Sequence, residues 1–162
     1  MKRLLMTFGI LIASASCVIA QDNDHSNSKP ISGSIAANIG VPTTSGYSIA
    51  FGFDVQGDYE ATEGLKITGS IGYENYPFKG GGGSGYFIPL LAGAKFNLGS
   101  EKVYGHAQLG YGFAKGGGGA FGYAPSIGYY VSPNFDLSLK YLAFSKNSNT
   151  LGSINLRAAY NF

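Results

Sequence analysis

The chain has 162 residues, which is enough for one domain and leaves little room for a second. Only 12% of the residues are charged, whereas 26 residues are Gly and 14% are aromatic, so the chain is too apolar to be disordered. Lys2 and Arg3 account for the whole net charge of +2, and no block of basic residues occurs elsewhere. The composition therefore gives no electrostatic support for nucleic-acid binding.

The first 20 residues have the pattern of a secretory signal peptide. Lys2 and Arg3 form a positive start, residues 4–12 are apolar, and small residues follow up to Ala20. We expect Sec-type export with cleavage near Ala20. A lipidated N-terminus at Cys17 is the weaker alternative, because Ser14 stands where such sites usually have Leu.

Cleavage after Ala20 would leave no Cys, which excludes a disulfide scaffold. Residues 21–30 are polar and end at Pro30, and we expect them to form a flexible periplasmic leader.

Residues 31–162 contain segments in which apolar and polar residues alternate with a period of two, and no stretch has a convincing helical period. The predicted strands are 31–41, 47–59, 65–76, 86–98, 103–113, 121–131, 135–144 and 150–162. In the last strand, one face carries Ile154, Leu156, Ala158, Tyr160 and Phe162.

The two faces of these strands differ in a way that indicates a membrane barrel. One face carries mostly Ile, Leu, Tyr and Phe, and the other carries small and polar residues. The large residues would not fit inside eight strands, whereas lipid accommodates them on the outside. The segments are long enough to span a bilayer, and closure avoids unpaired backbone groups in hydrocarbon. The sequence predicts an all-β, eight-stranded antiparallel up-and-down transmembrane β-barrel.

The connections predict the orientation of the barrel. Short turns at 61–64, 99–102 and 132–134 alternate with mostly longer loops at 42–46, 77–85, 114–120 and 145–149. Bacterial barrels have short periplasmic turns and longer outer loops, so we expect both termini on the periplasmic side. Lys79, Lys115 and Lys146 lie in outer loops, where they either reach anionic lipid headgroups or are simply solvated.

Charged residues on the predicted inward face suggest a closed lumen. We expect mutual pairing among three acids and three bases in a narrow, filled interior. These residues are Asp54, Glu74, Lys95, Asp136, Lys140 and Arg157.

The sequence offers little support for catalysis or cofactors. His106 is the only His of residues 31–162, and its same-face neighbours Tyr104 and Gln108 include no Ser, so we expect a hydrogen-bonded lumen residue. One His with scattered carboxylates predicts no metal site and no catalytic residue. We expect no cofactor.

Two similar glycine-rich stretches, 79–89 and 115–125, resemble a repeated hairpin. Both match the nucleotide-binding G-x-G-x-x-G pattern literally, but neither has the strand–turn–helix context that this pattern needs. Pro89 and Pro125 end these stretches, and we expect them near strand starts or bulges, because Pro lacks a ladder donor.

Residues 87–93 (FIPLLAG), 121–129 (FGYAPSIGY) and 156–162 (LRAAYNF) resemble the small outer-membrane β-barrel family, with OmpA-, OmpX- and OmpW-like domains, and look most like Bacteroidota-type versions. The resemblance covers residues 31–162. It implies that Tyr160 and Phe162 form the assembly signal that the barrel-assembly machinery reads. No peptidoglycan-binding segment follows in the sequence, so the resemblance does not imply cell-wall tethering.

The same resemblance implies an integral protein of the cell outer membrane in contact with lipid and lipopolysaccharide. We expect a non-enzymatic monomer with a closed lumen and a structural or surface-interaction role. A small porin-like channel for ions or solutes is the first alternative. A lipid A-modifying enzyme is the second alternative.

Overall fold

The computed structural model describes residues 31–162, which form eight antiparallel strands. The strands are β1 (Ile31–Pro42), β2 (Ala50–Thr62), β3 (Leu65–Pro77), β4 (Ser84–Ser100), β5 (Val103–Ala114), β6 (Gly119–Ser132), β7 (Phe135–Lys146) and β8 (Asn149–Asn161). Each strand pairs with the next, and β8 pairs with β1, so the sheet is closed. The predicted eight-stranded up-and-down barrel is confirmed.

Within residues 31–162, no helix is long and apolar enough to cross a membrane.

The predicted signal peptide at 1–20, the leader at 21–30 and the alternative lipidation site at Cys17 lie outside the described residues.

Large apolar side chains cover the exterior of the barrel on every strand. Examples from β1 to β8 are Ile35, Phe53, Ile71, Leu90, Leu109, Ile127, Leu139 and Leu156, all of them exposed. An apolar surface of this extent on a closed sheet is the surface that faces lipid in transmembrane barrels. The predicted inversion of a soluble core, with apolar residues outside and small or polar residues inside, holds for most of the barrel.

The two ends of the barrel differ in their connections. One end, here called the turn end, has the two-residue turns 63–64, 101–102 and 133–134. The opposite end, here called the loop end, has the loops 43–49, 78–83 and 115–118. The loop predicted at 145–149 is wrong in length, because β7 and β8 continue to a two-residue turn. Asn147 and Ser148 both have positive φ in this turn, at 49° and 64°, as a type I′ hairpin requires.

The start of β2 also differs from the prediction. β2 begins at Ala50 rather than at residue 47. Tyr47, predicted as the first residue of that strand, lies instead in the loop 43–49. Its ring packs against Tyr76 and Phe78, with ring centroids 5.9 and 5.4 Å away.

Pro89 and Pro125 lie inside β4 and β6, and not at a strand start or a bulge as predicted. Each proline coincides with a gap in one ladder. In the β3–β4 ladder, Ile71 pairs with Leu90 and Glu74 pairs with Phe87, but the residues between them, which include Pro89, form no pair. The register is the same on both sides of this gap. The β6–β7 ladder has the same kind of gap around Pro125. A missing N–H removes ladder bonds to one neighbour without shifting the strand.

Candidate functional site

Polar and charged side chains fill the lumen from the turn end, and Glu74, the ladder partner of Phe87, lies nearest the loop end among the charged ones. All seven inward residues singled out in the sequence lie in the lumen and are at most 7% exposed: Asp54, Glu74, Lys95, His106, Asp136, Lys140 and Arg157. They come from six of the eight strands, because strict alternation turns every second residue inward. Because these side chains are removed from water, their charges must be stabilised by hydrogen bonds and ion pairs with one another.

Asp54 is the centre of this polar zone. The Arg157 Nη2 donates to Asp54 Oδ1 over 2.8 Å, and the Arg157 Nε lies 3.2 Å from both carboxylate oxygens. The Lys140 Nζ lies 3.7 Å from Asp54 Oδ2, and the Asn38 Nδ2 donates to the same oxygen over 2.9 Å. One carboxylate therefore contacts two cations, and the two-point geometry of Arg157 makes its pair the stronger of the two.

A second group of contacts lies nearer the turn end. Lys95 Nζ donates to Asp58 Oδ2 over 2.9 Å and lies 4.9 Å from the centre of the Tyr104 ring. Asp136 accepts hydrogen bonds from the Tyr104 hydroxyl and from Asn161 Nδ2. These contacts tie β2, β4, β5, β7 and β8 together across the interior.

The ion pairs in the lumen differ from the predicted pairing of three acids with three bases. Asp58 is a fourth buried acid, and it takes Lys95 as its partner. Glu74 has no salt bridge within 4.0 Å in the described part of the chain, and its Oε1 has no hydrogen-bond partner there. Sequence reasoning missed Asp58, although Asp54, Gln56 and Asp58 follow strict alternation along β2.

Within residues 31–162, the His106 ring makes one hydrogen bond to a side chain. Its Nε2 lies 2.8 Å from the Thr68 hydroxyl, and the residue is 7% exposed. Ser126 donates to the His106 backbone carbonyl and not to the ring. The ring has no hydrogen bond to a carboxylate within residues 31–162, so the buried pair lacks the third group that activates a nucleophile.

Apolar side chains close the lumen on the loop-end side, which sequence reasoning did not anticipate. We call this cluster the apolar plug: Ala50, Tyr76, Leu91, Ala120, Ala124, Leu142 and Phe144, all buried. Phe87 stacks on Phe144 with ring centroids 4.2 Å apart and planes 8° from parallel. The available signal was a break in alternation, since Leu91, Leu142 and Phe144 occupy inward positions.

The inward side chains of β7 show how the filling of the lumen changes from one end of the barrel to the other. From the turn end, its inward side chains are Asp136, Ser138, Lys140, Leu142 and Phe144, and the strand ends at the exposed Lys146. A polar, ion-paired zone is thus followed by the apolar plug and then by the mouth.

A cavity of about 580 Å³ opens above the plug at the loop end, and we call it the vestibule. Its apolar lining includes Tyr47, Tyr86, Phe87, Phe144 and Leu151. Two of the three predicted loop lysines, Lys115 and Lys146, also line it, whereas Lys79 does not.

The predicted assembly-signal residues lie on the exterior at the turn end. Tyr160 and Phe162 are 54% and 51% exposed. The Phe162 N–H donates to the Gly33 carbonyl over 2.9 Å, and the Gly33 N–H donates back to the Phe162 carbonyl over 3.2 Å. These bonds extend the β1–β8 seam, where the barrel closes.

No group of three or more His, Cys, Asp or Glu in the described residues is arranged to hold a metal ion.

The fold matches solved structures of small outer-membrane barrels. The Yersinia pestis attachment invasion locus protein Ail is 20% identical with a TM-score of 0.62, and the match covers 83% of this chain and 99% of Ail. The N-terminal β-barrel domain of Pseudomonas aeruginosa OprF is 15% identical with a TM-score of 0.61, covering 81% of this chain and 97% of that domain. The outer-membrane enzyme PagL is 15% identical with a TM-score of 0.60, covering 78% and 98%.

No protein-family model matches the chain, and no curated protein sequence matches it. These three neighbours are small eight-stranded outer-membrane barrels, and at these identities they establish the shared fold alone. They include PagL, an enzyme, so the fold does not decide between catalytic and non-catalytic roles.

Proposed function

We propose that this protein is a monomeric, integral outer-membrane β-barrel with a closed lumen, no catalytic activity and a structural or surface-interaction role. The apolar exterior supports residence in a membrane, and the neighbouring barrels support the outer membrane. The single observation that carries the closed lumen is its double filling, by the ion-paired zone around Asp54 and by the apolar plug. In eight-stranded barrels the interior is just wide enough for side chains to fill it.

Conductance tests the closed lumen. Reconstituted protein in planar bilayers is expected to show no steady current above background, because the ion-paired zone and the apolar plug both fill the lumen. The heat-dependent gel shift of the protein recovered from the bilayers verifies that a folded barrel was present. Regular, voltage-stable steps from the unmodified protein would contradict the proposal and favour the porin-like channel.

The lipid A-modifying enzyme is the alternative that the neighbour PagL keeps open. The buried His106–Thr68 contact argues against it, because a lipid substrate would have to enter the filled lumen. Mass spectrometry of lipid A from cells with and without the protein is expected to give the same spectrum. A mass change that disappears in a His106→Ala variant would identify an enzyme instead.

We also propose outer-membrane lipid and lipopolysaccharide as partners of the loop end, through Lys79, Lys115 and Lys146. All three are exposed, and lysines near a membrane surface are attracted to anionic headgroups. The triple Lys→Gln variant is expected to retain less lipopolysaccharide after detergent extraction, whereas Lys102→Gln at the turn end should retain the normal amount. Equal retention in both variants would leave the loop lysines as solvated residues.

A further inference from the structure

The vestibule combines an apolar floor with a cationic rim. The stacked rings of Phe87 and Phe144 lie at its base, and Tyr47 and Leu151 pack against the same cluster from the sides. Lys115 and Lys146 line the cavity as exposed residues. Its volume of about 580 Å³ falls within the range of small-molecule sites, roughly 300–1,000 Å³.

The charge at this end of the barrel has one sign. Residues 42–50, 77–87, 113–121 and 144–152 include Lys79, Lys115 and Lys146 and no Asp or Glu. Every acidic residue of the described chain lies in the lumen or towards the turn end. The buried Glu74 is the ladder partner of Phe87, but neither Lys115 nor Lys146 forms a salt bridge within residues 31–162. A pocket with low-dielectric walls focuses the field of such unpaired lysines.

Hydrogen bonds hold the walls of the vestibule in place. The Thr43 N–H donates to the Gly152 carbonyl over 2.8 Å, and the Thr44 hydroxyl donates to the Thr150 carbonyl over 3.0 Å. The Lys115 N–H donates to the Tyr86 carbonyl over 3.1 Å. Each wall is thus tied to a neighbouring strand, so binding would not require ordering of the loops.

We propose that the vestibule is a binding site for a small amphipathic anion. Its apolar body lies on the Phe87–Phe144 floor, and its anionic group lies at the rim within reach of Lys115 and Lys146. The inference goes beyond the proposed function and shares with it Lys115, Lys146 and the plug residue Phe144, on which Phe87 stacks to form the floor of the site.

A water-soluble probe of this class tests the proposal in nanodiscs of zwitterionic lipid. Calorimetric titration with naphthalene-2-sulfonate is expected to show one saturable site per barrel after subtraction of empty discs. Naphthalene-2-sulfonamide has the same shape without the charge, and inorganic sulfate has the charge without the apolar body. Both are expected to bind at least about tenfold more weakly, because each loses one of the two interactions.

Variants locate the site. Replacing both Lys115 and Lys146 by Gln should weaken naphthalene-2-sulfonate binding at least about tenfold. Lys79→Gln is the matched control, because it removes a loop-end charge outside the vestibule and should change the affinity less than about twofold. Ala114→Trp should abolish binding by filling the cavity, and the heat-dependent gel shift verifies that this variant folds.

Three results would overturn the proposal: no saturable binding to the unmodified protein, equal weakening by Lys79→Gln and the double variant, or unchanged binding in folded Ala114→Trp. Its failure is distinguishable from failure of the closed lumen, since the first is read from titration and the second from conductance. A conducting barrel that still binds the probe would contradict only the closed lumen.

Discussion

Asp54 is the residue on which the charge balance of the lumen depends. It is 4% exposed and contacts both Arg157 and Lys140. Arg157 also approaches Asp136, but at 3.7 Å and without the two-point geometry. Removing Asp54 would leave two buried cations close together with their main partner lost, which is far more costly than losing a surface pair.

Asp54→Asn is therefore expected to lower the free energy of unfolding by about 3–5 kcal/mol. Urea titration of the refolded barrel, followed by the heat-dependent gel shift, measures the change. Glu63→Gln is the matched control, because Glu63 is exposed in a turn at the turn end and should change stability by less than about 1 kcal/mol. Equal stability of Asp54→Asn and the unmodified barrel would show that the ion pairs do not hold the lumen together.

The sequence predicts which side chains point into the lumen, but it does not predict which of them contact one another. Alternation alone places Asp54 and Arg157 inside, since period two leaves only two faces. Their contact joins residues 103 positions apart in the chain, and it depends on the stagger of all eight strands around the barrel. Asp58 lies on the same face by alternation, and only its pairing with Lys95 depends on that stagger.

At the scale of the elements, the β7–β8 hairpin gives the sharpest test. Its turn residues Asn147 and Ser148 both have left-handed backbone conformations. Asn adopts this conformation more readily than Ser does, because its side chain can form local hydrogen bonds. Asn-Gly is the preferred pair in a two-residue hairpin of this type.

Ser148→Gly is therefore expected to stabilise the barrel by up to about 1 kcal/mol. Gly relieves the backbone strain of the folded turn, and the greater conformational entropy of Gly in the unfolded chain offsets part of that gain. The midpoint of urea unfolding should rise. Ser148→Val at the same position is the control and should lower it, because a β-branched residue is an outlier at positive φ. A lower midpoint for Ser148→Gly would mean that the Ser side chain stabilises the turn.

The strands were predictable from the sequence because each is a long alternating run. The apolar plug was not, since Leu91 follows Leu90 and Phe144 follows Ala143, and such pairs blur the alternation on which the prediction rests. The contact of Tyr47 with Tyr76 was missed because Tyr47, Ile49 and Phe51 continue one alternating run, which placed Tyr47 in the second strand.

At the scale of the whole molecule, closure of the barrel depends on the β1–β8 seam. β1 and β8 are the two strands farthest apart in sequence, and Phe162 extends their ladder through paired hydrogen bonds with Gly33. The Phe162 ring lies against Gly33, where an added Cβ would stand 2.7 Å from the ring atom Cε2. The ring therefore covers a gap in the lipid-facing surface at the turn end.

We propose that Phe162, with Tyr160, acts in assembly more than in stability. Phe162 is 51% exposed, so Phe162→Ala should cost less than the roughly 1.5–3 kcal/mol of a fully buried Phe side chain. The variant should refold in detergent micelles almost as the unmodified protein does, with the same heat-dependent gel shift. In cells it should reach the outer membrane poorly and accumulate as a protease-sensitive periplasmic species.

Phe135→Ala is the matched control for this prediction. Phe135 is also an exposed aromatic at the turn end, and it pairs with Tyr160 across the β7–β8 ladder. If Phe162 acts as an assembly signal, only Phe162→Ala should lower the outer-membrane level, although both variants remove one interfacial ring from the same end of the barrel. Normal outer-membrane levels of Phe162→Ala would contradict the assembly role and leave Phe162 as an interfacial anchor. An equal loss in both variants would do the same, because an aromatic ring at that depth, and not Phe162 in particular, would then be what assembly needs.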